Sequence, residues 1–174
     1  ELDFISALSE RVGLLAGLSA DILQNVYNER VLFMEGAKEL VATMRKSGAY
    51  TLLVSGGFTF FTARVAKELG FHEESANILE IIDGKLSGKV VPPILDKQSK
   101  LEALQANIAK QSIKASDVLA VGDGANDLPM LLAAGLGVAY HAKPIVQEQA
   151  KAKINYCDLT ALLYAQGYKK EEFI

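Results

Sequence analysis

The segment DVLAVGDGANDLPML, residues 117–131, places two carboxylates, an amide and two glycines within six positions, Gly122 to Asp127, just where an apolar run stops. A glycine-rich turn after a strand suits phosphate, because open backbone N–H groups face the anion. Asp123 and Asp127 would repel that phosphate directly. A Mg²⁺ ion resolves the conflict, since a hard cation takes carboxylate oxygens and keeps positions open for phosphate oxygens and water. Asp123 is then the candidate metal ligand, with Asp127 supporting the site. A polar turn in which Asp127 N-caps the next helix is the alternative, and the two readings are compatible.

Three further stretches carry chemistry of the same kind. LLVSGGFT, residues 52–59, sets Ser55, Gly56 and Gly57 at the end of an apolar strand. A hydroxyl and open N–H groups there would meet an anion at the positive end of the following helix; a plain tight turn is the alternative. Ser55 lacks the G-x-S-x-G context of a nucleophile, and neither His72 nor His141 sits in a triad pattern. In DKQSKLEAL, Ser99 and Glu102 form an S-x-x-E capping box that puts Lys100 in the first turn of a helix. A lysine there opposes the helix dipole, which makes sense if its ammonium faces an anion; an exposed surface lysine is the other reading. Arg11, in SERVGLL, lies near the apolar face of its helix by its spacing from Leu8 and Leu15. It could grip a carboxylate bidentately or form a surface ion pair.

The elements that must position these residues alternate. Apolar spacing predicts an amphipathic helix over 3–16 ending near Gly17, then a second helix N-capped by Ser19 and running to about Asn28. With no strand between them, the pair reads as a helical cap over 1–30, leaving 31–174 as the core. In the core, helical stretches (MEGAKELVATMRKSG, FTFFTARVAKELG, about 99–110, from about 127, 144–150, 159–165) interleave with short β-rich runs (YTLLVSGG, DVLAV, LGVAY, KINY). Asp83-Gly84 between two β-prone segments is a hairpin signal. Such alternation predicts an α/β fold: a mostly parallel sheet with helices on both faces. Ligands bind beyond the carboxyl ends of such strands, so both glycine-rich loops are expected to line one cleft.

Composition narrows the function classes. The chain has 174 residues, a formal net charge of -3, 50% hydrophobic residues and one cysteine. Scattered lysines and no basic excess exclude a nucleic-acid partner. No apolar run approaches the roughly 18 residues of a membrane span, so a cytoplasmic location is expected. Cys157 is expected to be a buried, inert thiol, and the terminal KKEEF a solvated tail.

Taken in order, these motifs resemble the haloacid dehalogenase superfamily of phosphatases. LLVSGG is similar to its second motif, Lys100 to its third and VGDGANDLPML to its fourth. ELDFISALSERVGLLAGLS resembles the helical cap, and DGKLSGKVVPPILDKQSKLEAL the hairpin and lysine helix, of the branch that hydrolyses O-phosphoserine. The resemblance covers nearly the whole chain and implies a Rossmann-like core with a cap and a β-hairpin. It further implies Mg²⁺ as cofactor on Asp123, supported by Asp127. Ser55, Gly56 and Lys100 would hold phosphate oxygens, with Gly57 in the same turn and Asn126 in the phosphate network. Arg11 would bind the substrate carboxylate, with Phe4 packing over the substrate.

One departure is large. The superfamily's first motif, D-x-D-x-[TV], carries the nucleophilic and acid/base aspartates and occurs nowhere in these residues. The chain is therefore expected to be a fragment lacking the first, central strand, inactive alone, and to partner the segment that carries that strand or a second copy of itself. Another phosphomonoesterase or phosphotransferase on the same scaffold, or a non-catalytic phosphate-binding domain, are the competing functional readings.

Overall fold

The computed structural model describes residues 4–174; residue 3, where the first helix is expected to start, lies outside the described residues. In chain order the helices are α1 (Phe4–Gly13), α2 (Ile22–Arg30), α3 (Ala37–Lys46), α4 (Thr59–Leu69), α5 (Lys97–Gln111), α6 (Leu128–Ala133), α7 (Pro144–Gln149) and α8 (Ala161–Ala165). The strands are β1 (Leu52–Phe58), β2 (Glu73–Ile82), β3 (Lys85–Val91), β4 (Leu119–Gly122), β5 (Leu136–Tyr140) and β6 (Ala152–Ile154). They form two compact units, one of residues up to Phe33 plus Thr51–Asp96, the other of Met34–Tyr50 plus Lys97–Ile174.

The first unit holds a three-stranded sheet in the order β1-β2-β3, with β1 parallel and β3 antiparallel to β2. The hairpin signal is met: Ile82 pairs with Lys85, and Asp83 and Gly84 take φ of 49° and 74°. Positive φ at both central residues matches the strand twist and is the reason for glycine there. Leu8, Val12, Leu23, Leu79 and Leu86 form the core between the α1–α2 pair and this sheet.

α1 stops at Gly13, four residues before the expected Gly17. The reason is the hairpin. Gly17 N–H donates to the Leu86 carbonyl, Leu86 N–H to the Leu18 carbonyl and Ala20 N–H to the Gly84 carbonyl, at 2.8–2.9 Å. The linker thus adds to the β3 edge, and Ser19 bridges Lys85 instead of capping α2. The residue before α2 is Asp21, whose N–H donates to Ser19 Oγ.

The second unit holds a parallel sheet, β4-β5-β6. Its core is Leu104, Ala120, Leu131, Ala134, Ala139, Ala142 and Val146, all under 9% exposed. Burying each large aliphatic side chain of this kind stabilises by about 1.5–3 kcal/mol. The alternation of strand and helix is therefore as expected, with three of the four strand pairings parallel, but the strands form two sheets of three.

One local expectation fails, and another holds in part. Cys157 is exposed, because it lies with the fully exposed Tyr156 in the loop between β6 and α8. In the tail, Lys169 to Glu172 are exposed as expected, but the Phe173 ring packs 5.0 Å from that of Tyr164, and Ile174 N–H donates to the buried Thr43 Oγ1 at 3.1 Å. Among the described residues no helix is long and apolar enough to cross a membrane.

Ahead of α8, Asp158 Oδ1 accepts the Thr160 N–H at 2.7 Å and its hydroxyl at 2.5 Å, which holds the carboxyl below its usual 3.8. A depressed folded-state value gives stability that is present above the unfolded value and lost as pH falls through the folded one. Asp158→Asn is thus expected to lower the unfolding midpoint at pH 7 and to leave it unchanged below the carboxylate range. Denaturant melts across pH 2.5–7 check this, and an equal deficit at every pH would contradict it.

Candidate functional site

Asp127 organises the loop after β4. It is 3% exposed, and both carboxylate oxygens are used. Oδ2 accepts the N–H groups of Asp123 and Gly124, each at 3.0 Å, while Oδ1 pairs with Lys100 Nζ at 2.5 Å. Asp127 occupies the position before α6 but makes no side-chain cap to that helix. Its carboxylate points backward into its own loop, because two N–H groups and an ammonium there outcompete the helix end.

The two glycines of the loop follow from that arrangement. A Cβ on Gly122 would stand 2.5 Å from Asp127 Cβ and 2.6 Å from its Oδ2. A Cβ on Gly124 would stand 2.3 Å from Asn126 Oδ1. The glycines therefore admit the protein's own side chains, a carboxylate and an amide, onto the turn. The Asp123 carbonyl accepts Lys143 N–H at 3.1 Å, which ties the loop to the start of α7. The Asp123 carboxylate is exposed and takes part in none of these bonds.

Lys100 sits in the fourth position of α5, 9% exposed. The helix begins at Lys97, two residues ahead of the expected Ser99 cap, so the capping-box reading is corrected: Ser99 is inside the helix. Asp96, itself a good N-cap type, immediately precedes it. Lys100 is thus not an exposed surface lysine: it is buried and paired with Asp127.

In the first unit, Ser55, Gly56 and Gly57 lie within β1 and not beyond it. Val54 pairs with Ser75 and Phe58 with Asn77, so four steps of β1 span two of β2 and the three residues bulge from the ladder. Gly57 N–H donates to Ser55 Oγ at 2.9 Å. The ring of Phe4 covers the bulge, with its Cζ 3.6 Å from where a Gly56 Cβ would stand. Arg11 is exposed in the last turn of α1, and its Nε donates to the Ala7 carbonyl at 3.1 Å. The sequence gives Asn77 no role, yet it is 1% exposed and bonds to Gly56 and Leu95. Its signal was available: an asparagine amid the apolar run ANILEII is a residue type that strands disfavour.

The structure thus brings Lys100, Asp123, Asn126 and Asp127 into one cluster of the second unit. Phe4, Ser55, Gly56 and Gly57 form another in the first. The haloacid dehalogenase-like hydrolase family matches residues 2–132. The chain belongs to this family. It is 48% identical over 159 residues to the phosphoserine phosphatase of Streptococcus thermophilus, spanning 91% of this chain and 74% of that protein. Against the phosphoserine phosphatase of Streptomyces coelicolor it is 44% identical over 172 residues, spanning 99% of this chain but 42% of that one. A solved structure of a phospho-aspartyl intermediate analogue of phosphoserine phosphatase superposes with a TM-score of 0.88 at 36% identity, covering 94% of this chain and 78% of that one. The α/β architecture with its helical pair and hairpin is therefore that of the haloacid dehalogenase-like hydrolases.

Proposed function

We propose that these residues supply the phosphate- and metal-binding part of a cytoplasmic phosphoserine phosphatase. The reaction is Mg²⁺-dependent hydrolysis of O-phospho-L-serine to serine and phosphate through an aspartyl-phosphate. The observation that carries this reading is the Asp127 carboxylate, which holds Lys100 on one oxygen and the Asp123–Gly124 backbone on the other. That arrangement fixes an ammonium and the backbone of Asp123, whose own carboxylate takes part in none of these bonds.

The donor chemistry fits Mg²⁺. Asp123 offers free hard oxygens, whereas both Asp127 oxygens are spoken for, so Asp123 is the ligand and Asp127 the support. Bound Mg²⁺ would neutralise charge on the phosphate oxygens. Lys100 supplies a second positive charge to the same oxygens, and its burial strengthens that interaction over one in water. Ser55 and Gly56 donate to phosphate, Gly57 closes their turn with its N–H on Ser55 Oγ, and Asn126 braces the loop. The α1–α2 pair acts as the cap: Phe4 excludes water over the bulge, and the exposed Arg11 guanidinium takes the substrate carboxylate.

These 174 residues contain no D-x-D-x-[TV], and this reading assigns the nucleophile to a segment with that motif. Titrating the 174-residue chain with inorganic phosphate is expected to show binding that strengthens at least tenfold with Mg²⁺, and no multi-turnover hydrolysis. With a D-x-D-x-[TV] segment fused ahead of it, the protein is expected to hydrolyse O-phosphoserine in preference to phosphothreonine and phosphoethanolamine. Turnover by the 174 residues alone would refute the assignment of the nucleophile. Equal use of phosphoethanolamine, which lacks a carboxylate, would refute the role of Arg11.

A further inference from the structure

Asn77 stands apart from every motif considered so far. It lies on β2 opposite Phe58, at the point where the β1–β2 register resumes after the bulge. At 1% exposure its amide has no recourse to water, so its polar atoms must be satisfied within the protein. They are satisfied by backbone alone. Nδ2 donates to the Gly56 carbonyl at 3.1 Å and to the Leu95 carbonyl at 3.3 Å, while Oδ1 accepts Leu95 N–H at 2.7 Å. Both donors of the amide are therefore used, and both reach across long stretches of chain.

The bond to Gly56 has a geometric consequence. A carbonyl and the following N–H belong to one rigid peptide plane and point in opposite directions. Fixing the Gly56 carbonyl on Asn77 therefore aims the Gly57 N–H the other way, and Ser55 Oγ lies there, 2.9 Å off. Ser55 is thereby made an acceptor on that side, which leaves its hydroxyl proton to donate elsewhere. The Ser55-Gly56-Gly57 run needs such an external anchor, because two adjacent glycines have little conformational preference of their own.

We infer that Asn77 is a positioning residue for the phosphate site: it fixes the Gly56–Gly57 peptide plane and so directs the Ser55 hydroxyl toward a phosphate oxygen. The inference rests on the phosphate-binding reading of the Ser55–Gly57 bulge. Asn77 touches no substrate and acts only through backbone.

The test compares the chain with Asn77→Ala and Asn77→Asp in Mg²⁺. It follows inorganic phosphate affinity, Mg²⁺ affinity and the hydrogen exchange of the Gly57 amide. Asn77→Asp keeps the shape and the acceptor for Leu95 N–H while removing the donors to the Gly56 and Leu95 carbonyls, and it serves as the second variant where the alanine variant does not fold. The expected result is phosphate affinity weakened roughly tenfold, the worth of about one hydrogen bond, and Gly57 exchange accelerated at least tenfold. Mg²⁺ affinity should stay within twofold. A merely structural role would lower the melting temperature and leave the phosphate affinity of the folded protein unchanged; that result overturns the inference. If the parent chain binds no phosphate, the phosphate-binding reading fails. Gly57 exchange then decides whether Asn77 holds the peptide plane, and unaltered exchange in a folded variant overturns that as well.

Discussion

Asp127→Ala is expected to destabilise the chain by about 3–5 kcal/mol, the range for stripping one partner from a buried ion pair. The substitution leaves the Lys100 ammonium, 9% exposed, without its carboxylate, and leaves two N–H groups of the loop without their acceptor. Domains of this kind hold only about 5–15 kcal/mol in all, so the loss should be plain as a lower urea midpoint with an unchanged slope. A second substitution separates charge from shape. In Asp127→Ala combined with Lys100→Met, no buried charge remains, and a large part of the lost stability should return. Phosphate affinity should not return with it, because the ammonium is gone. A single variant that melts within ~0.5 kcal/mol of the parent, the scatter of a neutral surface change, would mean that Asp127 does not hold the loop.

Gly122→Ala carries the other large effect. Its new methyl would lie 2.5 Å from Asp127 Cβ, an atom fixed by the backbone that cannot swing aside. Overpacking of this sort costs about 1–3 kcal/mol even where the surroundings relax. Here the relaxation itself is the damage, since the carboxylate must leave the Asp123 and Gly124 N–H groups. Mg²⁺ affinity, followed by calorimetry, is expected to fall at least tenfold. Gly124→Ala is the matched control, because its methyl meets Asn126 Oδ1, the far end of a side chain that can rotate. It should cost clearly less in Mg²⁺ affinity. Equal losses in the two variants would show that the close approach to Asp127 is not what the first glycine protects.

The sequence made the alternation of strand and helix legible, because periodicity and glycine punctuation are local. The Asp83-Gly84 hairpin and the strand carrying Gly122 were readable for the same reason. Other features depended on partners far along the chain. The reach of α1 was misjudged because residues 17–20 add to the edge of β3, which nothing in their own spacing announces. The C-terminal KKEEF looked solvated by its charges, and Lys169 to Glu172 are exposed, yet Phe173 and the Ile174 that follows it are held by Tyr164 and Thr43. At the site, Lys100, Asp123, Asn126 and Asp127 were each legible as candidates by residue type and spacing, and the fold gathers these four. The sequence did not show that Gly122 and Gly124 make room for the side chains of Asp127 and Asn126. A sequence lists residue types without saying which of them will occupy the room a glycine leaves.

The use of a side chain from within the loop as its own template has a thermodynamic consequence. Ordering a backbone residue costs about 1–2 kcal/mol of conformational entropy. Here the segment from Asp123 to Asp127 meets that cost when the chain folds and not when an ion arrives. Association with Mg²⁺ should therefore proceed without an entropic penalty from the backbone. Binding should then vanish together with the sheet of β4, β5 and β6 in one cooperative step, with no earlier loss from melting of the loop alone.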